Sequence, residues 1–423
     1  MISPLPTLVF LAPFVSALLV ATIGWWIRGA ARTLAFAGLA VTTALAVLAA
    51  LRVFTGGPLH SHLGNWAPPI GIELVLDPLS AILAVLVSGT AFVVLAGSTT
   101  AVRVELAGRS TSYYATVLLL IAGLLGIVVT GDLFNLFVQL EVASLSAYAL
   151  VAAGKRGAPK AALNYLLIGS LGASLYLTGV GFLYAATGSL NMSDVAARLG
   201  EGPLALTGAV LIVIGLAVKM ALFPLHGWMP AAYATAPSAA AALMAPLVTK
   251  VAAYALIRVL FWVYGAASLQ SGAAMPRLMD ILGWTGAAAI VVGGVFAYLQ
   301  KDLWRMLAYS SVSQVGIVAV GVSLVNANGL TGAILHIAND ALMKGALFLA
   351  AGVALAGFGV RRIDQLGALR GRAPWTIGIV AVAGMSLVGI PPLGGFFGKW
   401  YVLLGALEAG HGGFAAAILA GTL

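Results

Sequence analysis

The chain has 423 residues, of which 62% are hydrophobic and 8% charged, and its 21 Lys and Arg against 12 Asp and Glu leave a formal net charge of +9. A soluble domain carries about 25% charged residues, so no water-soluble fold hides this surface and a polytopic membrane protein is expected. Cysteine is absent, which excludes thiolate-bound iron–sulfur clusters, disulfides and cysteine nucleophiles; the five scattered histidines offer no haem or metal centre, so no cofactor is expected and any redox chemistry belongs to another subunit.

Apolar runs of roughly 17 to 25 residues are long enough to span a bilayer. In chain order they predict helices near 4–26, 33–54, 79–100, 113–130, 131–153, 161–187, 204–226, 238–265, 280–299, 307–325, 329–358 and 375–407. The first run continues past Arg32 without an A-x-A-like cleavage site, so it reads as a retained anchor. The last stretch, from His411 to Leu423, is apolar but covers only about 20 Å as a helix; it reads as an interrupted thirteenth span, and the sequence is expected to be incomplete. The 52 glycines suit helices whose backbones approach closely.

Loop charges predict the orientation. With the N-terminus outside, the inner loops hold Arg28, Arg32, Arg103, Arg109, Lys155, Arg156, Lys160, Lys301, Arg305, Arg361, Arg362, Arg370 and Arg372, and the outer side only Arg52, Arg198 and Arg277. This asymmetry follows the positive-inside rule. The net charge therefore reflects topology, and no soluble basic domain exists to hold a nucleic acid.

Seven ionisable residues, Glu141, Lys219, Lys250, His336, Asp340, Lys344 and Lys399, fall inside spans or at their broken ends. A charge at mid-membrane costs about 2.5–3.5 kcal/mol on insertion scales, so such residues face partners or water and mark function. Two spans are interrupted: Phe223-Pro224-Leu225-His226-Gly227-Trp228-Met229-Pro230 follows Lys219, and Gly389-Ile390-Pro391-Pro392-Leu393-Gly394-Gly395 precedes Lys399. Proline removes a backbone donor and breaks a helix. Broken backbone at membrane depth is tolerated only where protein buries it or a wet cavity meets it, and matching breaks in two halves point to inverted repeats with ion sites near the midplane.

Four segments carry a family resemblance: Gly131-Asp132-Leu133-Phe134-Asn135-Leu136-Phe137 leading to Glu141; Lys219 through Pro230; Ala236-Pro237-Ser238 leading to Lys250; and His336 to Lys344. From about Leu76 onward the chain resembles the antiporter-like subunits of Mrp-type cation/proton antiporters, respiratory complex I and membrane-bound hydrogenases. The runs GDLFNLFVQLEV and GIPPLGGFFGKWYVLLGALEAG look most like the D-type chain of Mrp antiporters. The resemblance implies an all-α protein of about 13–14 transmembrane helices in a bacterial or archaeal cell membrane. It implies an N-terminal unit of helices 1–3 (1–112) and two inverted five-helix repeats (113–265 and 280–423), with protons moving along a polar mid-membrane axis. It also implies partner subunits of a hetero-oligomeric assembly, with protons and Na⁺ as cargo. The chain departs from the pattern in having Asp340 where a second His is usual, and in lacking a fourteenth helix.

The residues support the same chemistry. Glu141 and Lys219 lie near mid-depth and can pair across a helix contact, which stabilises both charges. Burial disfavours a lone ammonium, so a lysine that loses its partner can give up its proton. Such a pair reads as a switch, the bland alternative being a structural ion pair. Lys250 has no acid near it in sequence and is expected to face water or a neighbouring station. Arg258, near the outer end of the same span, reads as snorkelling to the interface. His336, Asp340 and Lys344 recur every four residues on one helical stripe, either as a relay or as a local Asp340–Lys344 pair with His336 packed beside it. Lys399 is the terminal station implied by the resemblance, or a headgroup anchor. His226 is open to two readings, a gate on the inner side or a helix-end cap. His60, His62 and His411 fall in outer loops or at a span edge without a third metal ligand, and Asp132 reads as an N-cap.

Two functional classes follow. One is a secondary-transporter subunit, itself not an enzyme, that exchanges Na⁺ or another monovalent cation for protons. The other is a proton-pumping membrane subunit of a complex I-like NADH-quinone oxidoreductase or membrane-bound hydrogenase.

Overall fold

A computed structural model describes residues 2–27, 29–155 and 157–422, so Arg28 and Arg156 of the loop charges lie outside the described residues. The N-terminal unit is α1 (Leu5–Trp26), α2 (Ala30–Gly56), a hairpin of β1 (Leu59–His62) and β2 (Glu73–Leu76), α3 (Pro78–Gly97) and the short α4 (Thr99–Glu105). Next come α5 (Ser110–Val129), α6 (Leu133–Ala152), α7 (Ala158–Thr187), α8 (Met192–Arg198), α9 (Pro203–Lys219), α10 (Met229–Thr235) and α11 (Ser238–Arg258), the last running into a π-helical turn, Val259–Tyr264. The remainder is α12 (Ala266–Gln270), α13 (Ala274–Tyr298), α14 (Leu303–Ser323), α15 (Ala327–Phe358), a 3₁₀ segment Ile363–Leu369, α16 (Pro374–Val388), α17 (Gly394–Glu408) and α18 (Gly412–Ala420).

Ten of the described helices are long and apolar enough to cross a membrane. The two expected spans that fall short begin with α9 and α16, and both have proline-rich interruptions after these helices. Each expected span meets helix, with ends moved where caps or breaks intervene. The span expected over 79–100 stops at Gly97, the one expected over 204–226 stops at Lys219, and the one expected over 375–407 divides into α16 and α17. The loop between α2 and α3 carries an antiparallel hairpin in the register Leu59↔Leu76 and His62↔Glu73, because alternate residues Leu59, Ser61, Leu74 and Leu76 bury one face.

Burial follows position. α11 is almost wholly enclosed, whereas α1 and α16 present Leu18, Ile23, Ile379 and Val382 outward, as lipid-facing helices do. Asp132 N-caps α6, accepting from Asn135 N at 2.7 Å, and Asp302 does the same for α14 from Arg305 N at 3.0 Å. Around each cap the backbone is tied in the same way. Leu133 N donates to Leu190 O (2.9 Å) and Met192 N to Gly131 O (2.8 Å); in the second half Leu303 N donates to Arg361 O (3.1 Å) and Ile363 N to Lys301 O (3.0 Å). In both cases the residues before the second helix of a group pair with the chain that leaves the third.

Candidate functional site: a buried row of lysines

The first cluster sits where α9 ends. Lys219, the last residue of α9, donates from Nζ to Glu141 Oε1 of α6 at 3.0 Å and to Ser144 Oγ at 2.8 Å. Glu141 and Ser144 are three residues apart and so share a face of α6. The helix stops here for local reasons. Pro224 cannot continue it, and Ala221 turns the chain with φ of +57°, a left-handed conformation that disfavours residues with a side chain. The indole of Trp228 folds back and donates to Val218 O at 3.0 Å, a carbonyl that also accepts from Ala221 N at 3.1 Å. Trp228 in turn stacks on Tyr165 of α7 (3.9 Å, 3° between planes), and Tyr165 meets Tyr148 of α6 edge-on at 4.5 Å. The Lys219 end of α9 is thus held by an aromatic column as well as by its own backbone hydrogen bonds, among them Met220 N to Leu216 O at 2.8 Å and Leu222 N to Ala217 O at 2.9 Å.

The second cluster joins α11 to α15. Lys250 Nζ lies 2.6 Å from Asp340 Oδ2, with both side chains buried, and also donates to Ala245 O at 3.0 Å. The neighbouring station that Lys250 lacked in sequence is therefore Asp340. This corrects the local reading of the stripe: no Asp340–Lys344 ion pair forms. Lys344, fully buried, instead turns to α14, donating to Leu307 O at 3.0 Å and to the Ser310 hydroxyl. His336 Nε2 meets Gln314 Oε1 of α14 at 3.0 Å. Asp340 Oδ1 and His336 Nδ1 have no protein partner among the described residues. All three side chains of the stripe are buried, so one face of α15 carries three polar groups and divides them between α11 and α14.

The third position is the second break. Lys399, in α17, donates to Leu387 O at 2.8 Å and Val388 O at 3.0 Å, the carbonyls exposed where α16 stops. Gly389 takes φ of +95° there, a conformation glycine adopts without cost. Gly398 brings α17 against His336; a Cβ at this position would stand 2.9 Å from the His336 backbone. An open groove of about 460 Å³, walled on its outer side by the exposed Val295, Tyr298 and Leu299, reaches Ser310, Gln314, Leu387 and Val388; the first two of these hold Lys344 and His336, and the last two hold Lys399.

His226 is half-buried in the first break, its ring tilted against Phe223 at 5.5 Å and edge-on to Tyr309 of α14 at 6.4 Å, with Nδ1 unpartnered among the described residues. Arg258 does not snorkel. It is buried, paired with Asp77 at the N-cap of α3, bonded to Tyr254 Oη at 3.1 Å and set 4.5 Å over the Trp262 ring, because the guanidinium finds a carboxylate closer than the interface. His60 lies on β1, with Nδ1 2.8 Å from Glu73 Oε1, and Glu73 also accepts from Asn191 at 2.8 Å. Sequence reasoning passed over Ser144, Ser310 and Gln314. The signal for the last two was present, since residues 310 and 314 put two polar groups one turn apart in an apolar span.

The family described as "NADH:quinone oxidoreductase/Mrp antiporter, TM" matches residues 130–423. The N subunit of the NADH-quinone oxidoreductase of Desulforudis audaxviator is 48% identical over 396 residues, 92% of this chain and 77% of that protein. The D subunit of the Na⁺/H⁺ antiporter of Bacillus subtilis is 32% identical over 377 residues, 88% of this chain and 74% of that protein. A chain of the membrane-bound sulfane sulfur reductase, an archaeal respiratory membrane complex, superposes with a TM-score of 0.92 at 30% identity, covering 99% of this chain and 85% of its own length. With the matched segment reaching from just before Asp132 through all three lysine clusters, the chain belongs to the NADH:quinone oxidoreductase/Mrp antiporter transmembrane family.

Proposed function

We propose that this chain is the proton-translocating, antiporter-like subunit of a multisubunit membrane complex, that Glu141, Lys219, Lys250, His336, Lys344 and Lys399 are its stations, and that Asp340 sets the charge on Lys250. The observation that carries the reading is the pair of lysine–carboxylate contacts made by buried lysines, Lys219 with the half-buried Glu141 and Lys250 with the buried Asp340, each joining two different spans. An ammonium buried in apolar surroundings is disfavoured unless a carboxylate compensates it. Separating either pair releases a proton, and closing it recaptures one, so small shifts between α6 and α9 or between α11 and α15 move charge. Ser144, Ser310 and Gln314 supply hydroxyl and amide groups that orient the lysines and imidazole between hops. His226, at the first break and facing Tyr309 of α14, serves access there.

The matching backbone ties at Asp132 and Asp302 support two related repeats, 113–265 and 280–423, beside an N-terminal unit of residues 1–112. On the expected spans an odd number of crossings separates the two ties, which in this reading puts them on opposite membrane faces, as inverted repeats require. The basic loops support an N-terminus outside.

For the exchanged cargo, our reading is Na⁺ or another monovalent cation against protons, in a hetero-oligomeric Mrp-type assembly; likeness to the Bacillus subtilis antiporter chain supports it. The second reading, a proton-pumping subunit of a complex I-like oxidoreductase, is favoured by the 48% identity to an N subunit of such an enzyme. The test uses everted vesicles carrying the assembled complex. Collapse of a pH gradient on adding Na⁺, lost in Lys219→Ala, supports the first reading. Proton uptake driven only by quinone reduction, with no response to Na⁺, supports the second. Transport untouched by Lys219→Ala overturns the station assignment common to both.

A further inference from the structure

A cleft of about 320 Å³ lies between α15, α16 and the 3₁₀ segment Ile363–Leu369. Its wall on α15 is Ala350, Ala351 and Ala354, whose short side chains leave the space; Ile377 and Val380 form the α16 side, and Arg370 stands at the polar end. The volume is at the lower end of the roughly 300–1,000 Å³ typical of small-ligand sites. α16 is thinly covered: only Ala383 and Ser386 are buried, and Trp375 near its start is 86% exposed. An exposed tryptophan at a span end marks headgroup depth, so the cleft runs from headgroup level down an acyl-facing surface.

The charges at this end are unevenly committed. Arg361 is held by Asp302 at 2.7 Å and Arg362 by Asp364 at 2.8 Å. Arg370 and Arg372 have no carboxylate partner among the described residues, and Arg372 lies 5.2 Å over the Phe358 ring. Two unneutralised guanidiniums at the headgroup end of an apolar slot complement an anionic headgroup carrying hydrocarbon. We propose that this cleft binds one anionic phospholipid, its phosphate held by Arg370 and Arg372 and an acyl chain laid along the three alanines. Guanidinium suits phosphate through paired, charge-assisted hydrogen bonds, and basic pockets between membrane helices select such headgroups. The occupant wedges α15, which bears His336, Asp340 and Lys344, against α16, whose terminal carbonyls hold Lys399.

The test takes the assembled complex into nanodiscs of phosphatidylcholine with graded phosphatidylglycerol and reads retained lipid by native mass spectrometry. The wild type is expected to keep phosphatidylglycerol in preference to phosphatidylcholine. Arg370→Gln and Arg372→Gln each lower that preference about fivefold, the equivalent of ~1 kcal/mol per basic residue at a membrane surface. Arg305→Gln, which removes the same charge elsewhere on this face, leaves it unchanged, and Ala351→Leu displaces the lipid by filling the slot. Both arginines are exposed, so their variants keep the fold even if the alanine variant does not. Equal retention of the two lipids would mean a non-selective annular lipid only, and a preference that survives both arginine substitutions would mean that other groups select the lipid; either result overturns the proposal.

Discussion

Removing Asp340 tests the buried axis most directly, because its carboxylate is the anion with which Lys250 pairs. At the observed 2.6 Å, two unit charges attract by about 6 kcal/mol with an effective dielectric constant of ~20. Burying both ions costs several kcal/mol each, so the net value of the pair is small. The cost of breaking it is not. Asp340→Leu leaves the Lys250 ammonium buried with Ala245 O as its remaining acceptor, and losing one partner of such a pair costs about 3–5 kcal/mol. The carbonyl at 3.0 Å argues for the lower end of that range. Lys250→Leu strands the carboxylate instead and costs a similar amount. The double replacement Lys250→Leu with Asp340→Leu removes both ions and regains most of the loss, yet does not transport. The assay combines thermal unfolding of the purified complex with proton flux in everted vesicles. A complex carrying Asp340→Leu that unfolds at the wild-type temperature and pumps normally would refute the reasoning, since the pair would then be filler and the proton path would run elsewhere.

Three other outcomes are expected. Lys219→Ala abolishes flux while the complex still assembles, as size-exclusion chromatography of the tagged complex would check, because it removes a charge and little packing; the half-buried Glu141 left behind can be solvated. Lys399→Arg keeps the donors that cap Leu387 O and Val388 O but cannot release a proton, so stability persists and flux falls, whereas Lys399→Met also forfeits charged hydrogen bonds worth about 1.5–3 kcal/mol; equal flux in wild type and Lys399→Arg would reassign Lys399 as an anchor. Arg258→Met strands Asp77 and costs about 3–5 kcal/mol of stability with little change in flux per assembled complex, and a selective loss of flux at full stability would place the pair on the proton path.

How much was legible in the sequence depends on the range of the interaction. Span positions followed from local composition, since a run of apolar residues of bilayer length has one stable solution whatever surrounds it. The breaks after Lys219 and before Lys399 were equally local, because a proline ends a helix through its own ring and missing donor. The Asp132 cap needed only the three residues after it. The partners of the buried charges were not local. Lys250 has no acid in its own span, and its carboxylate is 90 residues away on a helix that only packing brings alongside. Sequence spacing linked Asp340 with Lys344 at i,i+4, but the rotation of α15 turns Asp340 toward α11 and Lys344 toward α14, where Ser310 waits. Arg258 likewise had an evident local solution at the interface, and lost it to Asp77, 181 positions earlier. Sequence alone thus determined which charges lie in the membrane and where the helices break, both consequences of chemistry within a few turns. Tertiary packing decided which charge neutralises which, because a contact between spans depends on helix rotation and crossing that no short stretch of sequence encodes.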